Sequence, residues 1–171
     1  MSIESTAIVD DQDNIIGAKP RNDVTYADIY RVSSLWLTNS HGDVLVAQRS
    51  WKKSKNPGKW GPAVAGTVEE GETYEQNIYK EADEEIGLTR IKFSLGPKLF
   101  VDEDGQRRFF NQWFLGQVDW PLNRFTVRKT EVEAIAWITS DQLLTELKRN
   151  DEKYITGRSR WEDLFLRDSP H

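Results

Sequence analysis

Short apolar runs separated by polar turns dominate the hydrophobic pattern of the first half of the chain. Residues 7–9 and 15–16 flank a polar pentapeptide, which predicts an N-terminal hairpin at about residues 7–18. A second pair of apolar-rich runs, at 30–38 and 43–49, surrounds another polar turn and predicts two further strands.

The pattern changes to a period of about four residues in the middle of the chain. Residues 73–86 contain neither proline nor glycine, Thr73 and Gln76 can form an N-terminal capping pair, and Gly87 supplies a stop. The apolar residues form one stripe, which predicts a helix packed on a core: Ile78, Ala82 and Ile86.

Strand-like patterning returns after this helix. The segments 97–101 and 108–120 flank 102–105, a typical hairpin turn, and 134–139 predicts another strand. A leucine-rich period from Ser140 and three apolar residues near the end predict C-terminal helices within about 140–168. The lysine-, glycine- and proline-rich segment 50–62 is interpreted as an exposed loop.

These elements favour one domain, residues 1–171, with a layered α/β architecture. The absence of cysteine excludes disulfides, thiolate metal sites and cysteine nucleophiles. A formal net charge of −5 argues against general nucleic-acid binding. There is no apolar run of membrane-spanning length and no signal-like start, so we expect a cytoplasmic protein that does not bind membranes.

Three carboxylates lie close together on the predicted central helix. Glu81, Glu84 and Glu85 are related as i, i+3 and i+4, so their side chains are neighbours that repel each other. A divalent cation would remove this repulsion, and Mg²⁺ prefers oxygen ligands and bridges carboxylates to phosphates. The alternative is a solvated acidic helix face that holds no metal.

The surrounding residues distinguish these alternatives. Residues 66–88 read GTVEEGETYEQNIYKEADEEIGL, which resembles the Nudix hydrolase signature G-x5-E-x7-R-E-U-x-E-E-x-G-U, where U is an apolar residue. Eight of its nine defined positions match, and Lys80 stands where the family has arginine. The resemblance implies an α/β/α sandwich with a mixed central sheet, and a Mg²⁺-dependent hydrolase in which Mn²⁺ can substitute.

The resemblance also implies roles for individual residues of the signature. Glu81, Glu84 and Glu85 would be the catalytic, metal-binding carboxylates, and the backbone carbonyl of Gly66 would be a further metal ligand. A structural glutamate, Glu72, would tie the loop to the helix through the basic residue at position 80. Arginine can hold a carboxylate by two parallel hydrogen bonds, whereas Lys80 provides a single point charge. This difference bears on loop rigidity and catalytic rate.

Three residues outside the signature are further candidates for the site. Glu131 precedes a predicted strand and matches the region where the family often contributes another metal-binding carboxylate. Arg49 ends a predicted strand in a QR pair that the family frequently places near substrate phosphate. Lys59, in the neighbouring loop, is a candidate for attracting an anionic substrate, although a solvated lysine without that role is the preferred interpretation.

The expected partner is a small phosphorylated molecule, first of all a nucleoside 5′-di- or triphosphate. The alternatives are a nucleotide sugar such as ADP-ribose or a dinucleotide, and a catalytically silent nucleotide-binding module. The flanking sequence also resembles the branch that contains isopentenyl diphosphate isomerase, but Ala65 occupies the position of the isomerase cysteine and its histidine ligands are missing. The protein could be a monomer or a homodimer.

Overall fold

A computed structural model describes residues 3–149, 152–155 and 161–166. The described chain folds around one nine-stranded mixed sheet. Its strands, in chain order, are β1 (Ser5–Val9), β2 (Ile15–Pro20), β3 (Ile29–Thr38), β4 (Val44–Arg49), β5 (Trp60–Pro62), β6 (Val64–Thr67), β7 (Ser94–Glu103), β8 (Arg107–Gln117) and β9 (Val132–Ile138). The helices are α1 (Tyr74–Ile86) and α2 (Ser140–Lys148), with 3₁₀ turns at Arg21–Asp23 and Leu122–Arg124 and a π turn at Glu162–Leu166.

The sheet is organised around β3. This strand runs parallel to β8 along its whole length and antiparallel to β1 and β6. It meets β4 only at the pair Thr38 and Val44, although the two strands are consecutive in the chain. β4 instead pairs with β5 and β9. The predicted mixed α/β architecture is therefore confirmed, and the two central strands separate because each has other partners.

Two sequence-based boundaries were wrong. The segment 50–62 is not entirely a loop, because its last three residues form β5, and β6 follows almost immediately. Asp102 and Glu103 belong to β7 rather than to the turn, which is centred on Gly105 with φ of 74°. Both errors have the same cause, since a residue of low strand propensity pairs readily once a neighbouring strand supplies hydrogen bonds.

The signature helix α1 begins and ends as its sequence predicts. The Thr73 hydroxyl accepts from the Gln76 backbone N–H, and the Gln76 side chain accepts from the Thr73 backbone N–H. Gly87 ends the helix in the left-handed conformation with φ of 66°. The stripe of Ile78, Ala82 and Ile86 is fully buried, so it fixes which helix face remains available for chemistry.

Alternate side chains of the central strands lie on opposite faces of the sheet and pack into two apolar layers. Leu35 and Leu45 pack with α1, whereas Trp36 and Val44 pack with Leu143 of α2. The predicted C-terminal helix at 140 is confirmed, and the predicted closing helix corresponds to the short π turn. Elsewhere in the predicted 140–168 helical region, residues 149 and 152–155 form turns and an isolated bridge to Trp60, so the prediction was wrong there. Residues 150–151, 156–160 and 167–168 lie outside the described residues. In the described ranges, neither helix has the length and apolarity needed to cross a membrane.

Asp13 links the N-terminal hairpin to the start of α1 and is expected to stabilise the fold. Its carboxylate accepts from Arg31 and Lys98 at 2.7 Å and from the Tyr74 hydroxyl at 3.0 Å. Burial would raise its pKa, but the bonds from Lys98, Arg31 and Tyr74 outweigh burial and hold the pKa below its ordinary value. Such a carboxylate stabilises the fold above its unfolded-state pKa of about 3.9.

We expect Asp13→Asn to lower the free energy of unfolding at pH 7 by about 1–3 kcal/mol. Asparagine tolerates the positive φ of 64° at this position, so the change isolates the lost charge. The deficit should shrink as the pH falls below about 4, because the carboxyl of the unfolded chain is then protonated, and it should be lost as the pH falls through the lower pKa of the folded state. Urea unfolding between pH 3 and pH 7 checks this, with Asp11→Asn as the exposed control. A deficit of constant size across that range would contradict the prediction.

Candidate active site

A cavity of about 500 Å³ connects the signature helix to an open face of the sheet. One end is acidic and is lined by Glu81, Glu84 and Glu85 of α1 and by Glu131. The floor is formed by alternate residues of β3, β8 and β7, which the strand register places side by side. The structure thus brings the four predicted carboxylates together in one cavity.

The three helix carboxylates have few positive partners. Glu81 lies 3.9 Å from the Lys80 ammonium, and Glu84 lies 3.9 Å from the Arg128 guanidinium. Burial raises the pKa of Glu81 to about 7. Burial, reinforced by the neighbouring Glu81 and Glu131 carboxylates, also raises the pKa of Glu85 well above its ordinary value. Ionised carboxylates are therefore unfavourable at this end of the cavity when no cation is present.

The Glu81 side chain leaves no room for a side chain at position 66. A Cβ atom built on Gly66 would lie 2.5 Å from Cγ and 2.8 Å from Cδ of Glu81, which is closer than real contacts allow. Gly66 belongs to β6 and pairs with Ser33 of β3, so its backbone is held by the sheet. The family resemblance implied a metal-binding role for the Gly66 carbonyl, and the structure adds a steric reason for glycine at this position.

The second half of the signature loop is tied to α1 as predicted. Lys80 donates to the Glu72 carboxylate and, at 3.1 Å, to Glu69. Burial alone would lower the pKa of Lys80, but its bonds to Glu72 and Glu69 outweigh burial and raise that pKa. The lysine found in place of the family's arginine thus keeps the tie and extends it to a second carboxylate.

Of the two positively charged candidates, Arg49 lines the cavity and Lys59 does not. Arg49 lines the acidic end of the cavity, and its Nε donates to the Lys55 carbonyl at 2.9 Å. Lys59 is not among the residues that line the cavity, whereas Lys53 and Lys55 from the same loop are. Lys53 is paired with Glu131 at 2.5 Å. A substrate contact for Arg49 or Lys59 stays a prediction.

The sheet end of the cavity was missed by sequence reasoning. Tyr30 and Phe109 are opposite each other in the parallel pair β3 and β8, and their rings stack at 5.5 Å with an interplanar angle of 28°. The Arg107 guanidinium lies 5.3 Å from the Phe109 ring centre and is paired with Glu103. Ser34 donates to Asn111 at 2.9 Å. This floor combines aromatic surface with hydrogen-bonding groups.

The residues at the acidic end suit a hard divalent cation by their chemistry. They offer carboxylate oxygens in a polar cavity, and a bound cation would relieve the mutual repulsion of these neighbouring carboxylates. In the described part of the chain, however, no three acidic or histidine side chains converge as a finished metal site would. A bound cation would therefore have to draw these glutamates together.

Comparison with known proteins identifies the family. The NUDIX domain model matches residues 29–157, which is most of the chain. A Nudix hydrolase of Yersinia pestis is 24% identical over 93% of this chain and 86% of its own length. An isopentenyl diphosphate isomerase of Klebsiella pneumoniae is 32% identical, over 52% of this chain and 49% of its own length.

Comparison with solved structures agrees on the fold. A crystal structure of a Deinococcus radiodurans protein superposes with a TM-score of 0.80 at 20% identity, covering 95% of this chain and 99% of the other. The signature geometry, the family model and the similar fold lead to one conclusion. The chain belongs to the Nudix family and is a Nudix hydrolase.

Proposed function

We propose that this enzyme is a Mg²⁺-dependent hydrolase of nucleoside 5′-di- and triphosphates, with Mn²⁺ able to substitute. Hydrolysis of a diphosphate linkage in nucleotide-like compounds is the activity of the family. The observation that carries the finer proposal is that one cavity joins an acidic end to an aromatic, hydrogen-bonding floor. A nucleotide has matching parts, since a charged phosphate chain is linked to a flat base.

The acidic end is assigned to the diphosphate. Glu81, Glu84 and Glu85 would hold the cation together with the Gly66 carbonyl, and Glu131 is the additional candidate ligand. When bound, the cation would offset phosphate charge and activate the attacking water for displacement at phosphorus. One of the glutamates would accept the proton of that water, and Arg49 would contact phosphate oxygens through its guanidinium.

The floor is assigned to the nucleoside. The stacked rings of Tyr30 and Phe109 offer an aromatic surface to a base. Arg107 and Glu103 provide donors and acceptors at one side of that surface, and Asn111 provides both at another. A cavity of about 500 Å³ falls in the size range of small-molecule sites, so a nucleotide-sized ligand is accommodated.

Product analysis over a substrate panel tests the proposal. The purified protein with Mg²⁺ should release nucleoside monophosphate from a di- or triphosphate, and excess chelator should abolish the release. Glu84→Gln should lose this turnover, whereas Glu75→Gln, exposed on the same helix, should keep it. The panel includes ADP-ribose, dinucleotides and isopentenyl diphosphate.

The outcomes of the panel separate the competing substrates. Turnover of ADP-ribose or a dinucleotide, without turnover of di- and triphosphates, would replace the proposed substrate class by the nucleotide-sugar alternative. Turnover unaffected by chelator would contradict the role of a divalent cation. Isomerisation of isopentenyl diphosphate is not expected, because Ala65, which lines the cavity, provides no acid group.

A further inference from the structure

A fully buried asparagine lies behind the signature loop. Asn77 is on the inner face of α1, with none of its surface exposed. Its side-chain nitrogen donates to the Glu72 carboxylate at 3.0 Å and to the Thr67 carbonyl at 3.1 Å, and its oxygen accepts from the Ser33 hydroxyl. One side chain therefore connects α1 to the loop, to the end of β6 and to β3.

The two oxygens of Glu72 are satisfied by different groups. Oε1 accepts from Lys80, whereas Oε2 accepts from Asn77 and from the Glu69 backbone N–H at 3.0 Å. An arginine could supply two parallel hydrogen bonds to such a carboxylate, but a lysine ammonium cannot present that planar pair of donors. Here the ammonium is also shared with the Glu69 side chain at 3.1 Å.

We propose that Asn77 is a positioning residue that compensates for lysine at position 80. It supplies the second side-chain donor to Glu72 that the family's arginine could provide alone. Lys80 and Asn77 together hold one carboxylate from both sides, and so fix the loop between β6 and α1. The proposal rests on the hydrolase activity of the family and does not depend on which nucleotide is the substrate.

Asn77 also lies next to Gly66, which is beside Glu81 at the acidic end of the cavity. A Cβ atom built on Gly66 would lie 3.1 Å from the Asn77 side-chain oxygen and 2.5 Å from Glu81 Cγ. Asn77 and Glu81 thus pack against the same short piece of backbone, one residue before the Thr67 carbonyl that Asn77 holds. Loss of Asn77 would loosen this backbone next to Glu81, and catalysis should slow even in a folded enzyme.

A double-mutant cycle between positions 77 and 80 tests the proposal. The four proteins are the wild type, Asn77→Ala, Lys80→Arg and the combination of both changes. We expect Asn77→Ala to lower kcat about tenfold or more in the lysine background, because even a displacement of about 1 Å in the site can cost about 100-fold in rate. In the arginine background the same change should lower kcat less than about threefold, because the arginine supplies the missing donor.

Urea unfolding of the same four proteins gives a readout that requires no substrate. The cost of Asn77→Ala should again be smaller in the arginine background. Asn77→Ser replaces Asn77→Ala if the latter does not fold, since serine is small and polar but too short to reach Glu72. A variant that folds only with arginine at position 80 would also support the compensation.

Two outcomes would overturn the proposal. Equal losses in both backgrounds, in kcat and in unfolding, would mean that Asn77 and Lys80 act independently. Coupling in unfolding alone, with kcat unchanged in every folded variant, would reduce Asn77 to a structural residue. Absence of turnover in all four proteins would instead count against the assay substrate, because the unfolding cycle still reports the coupling.

Discussion

Replacement of Glu85 by glutamine is expected to lower kcat by about 10²- to 10⁴-fold, the range for loss of a general acid–base group. Glu85 lies at the acidic end of the cavity, and burial places its pKa well above the ordinary value. The change replaces an ionisable carboxyl group by a neutral amide and leaves the shape of the side chain nearly unchanged. It should therefore remove a ligand or base while causing little rearrangement.

The stability of the same variant should be unchanged or higher. A carboxyl whose pKa is raised in the folded state destabilises the fold once the pH exceeds its unfolded-state value of about 4.3. With chelator present at pH 7, Glu85→Gln should unfold at the same or a higher urea concentration than the wild type. A matched control is Asp83→Asn, which is exposed on the same helix and should leave both kcat and stability unchanged.

A combined loss of activity and stability in Glu85→Gln would contradict this interpretation. It would mean that the carboxylate takes part in a stabilising contact and that the lost activity reflects misfolding. Steady-state kinetics and urea unfolding on the same preparations distinguish the two cases.

Gly66→Ala is the second change for which we expect a large effect. The new methyl group would meet Glu81 Cγ at 2.5 Å, so the glutamate or the β6 backbone must move. A displacement of about 1 Å at a catalytic group can cost about 100-fold in rate, and we expect a loss of kcat of that order. Overpacking should also lower the free energy of unfolding by about 1–3 kcal/mol.

Gly17→Ala is the control for this substitution. Gly17 lies in β2 without the left-handed backbone, and a Cβ atom there would meet nothing within 4 Å. The control should keep full activity and stability, as measured by the same kinetics and urea unfolding. Full activity of Gly66→Ala would contradict the prediction that the close contact between Gly66 and Glu81 is needed for catalysis.

The parts of the fold that could be predicted from the sequence depend on signals between residues that are close together in the chain. The capping pair of Thr73 and Gln76 and the stop at Gly87 act within a few residues, so α1 is readable from the chain alone. The parallel pairing of β3 with β8 joins residues such as Tyr30 and Phe109 that are far apart in the chain. No local pattern encodes that partnership, so the mixed order of the sheet had to come from the family resemblance.

The same distinction applies to the candidate site. The carboxylates of α1 share one helical turn, so their spacing alone placed them together. The floor around Tyr30, Phe109 and Arg107 depends on the strand register, although the alternation of residues along β8 is a signal that could have indicated it. Asn77 sits in an unspecified part of the signature, and only its contacts reveal a role.

Titration with Mn²⁺, followed by electron paramagnetic resonance, tests most directly whether the acidic end of this cavity binds a divalent cation. Wild type and Glu85→Gln are compared at pH 7 without substrate. We predict that the wild type takes up Mn²⁺ and that the variant binds it at least about tenfold more weakly, a loss that even outer-shell changes can cause. Equal affinity in both proteins, or no uptake by the folded wild type, would contradict the assignment of these glutamates.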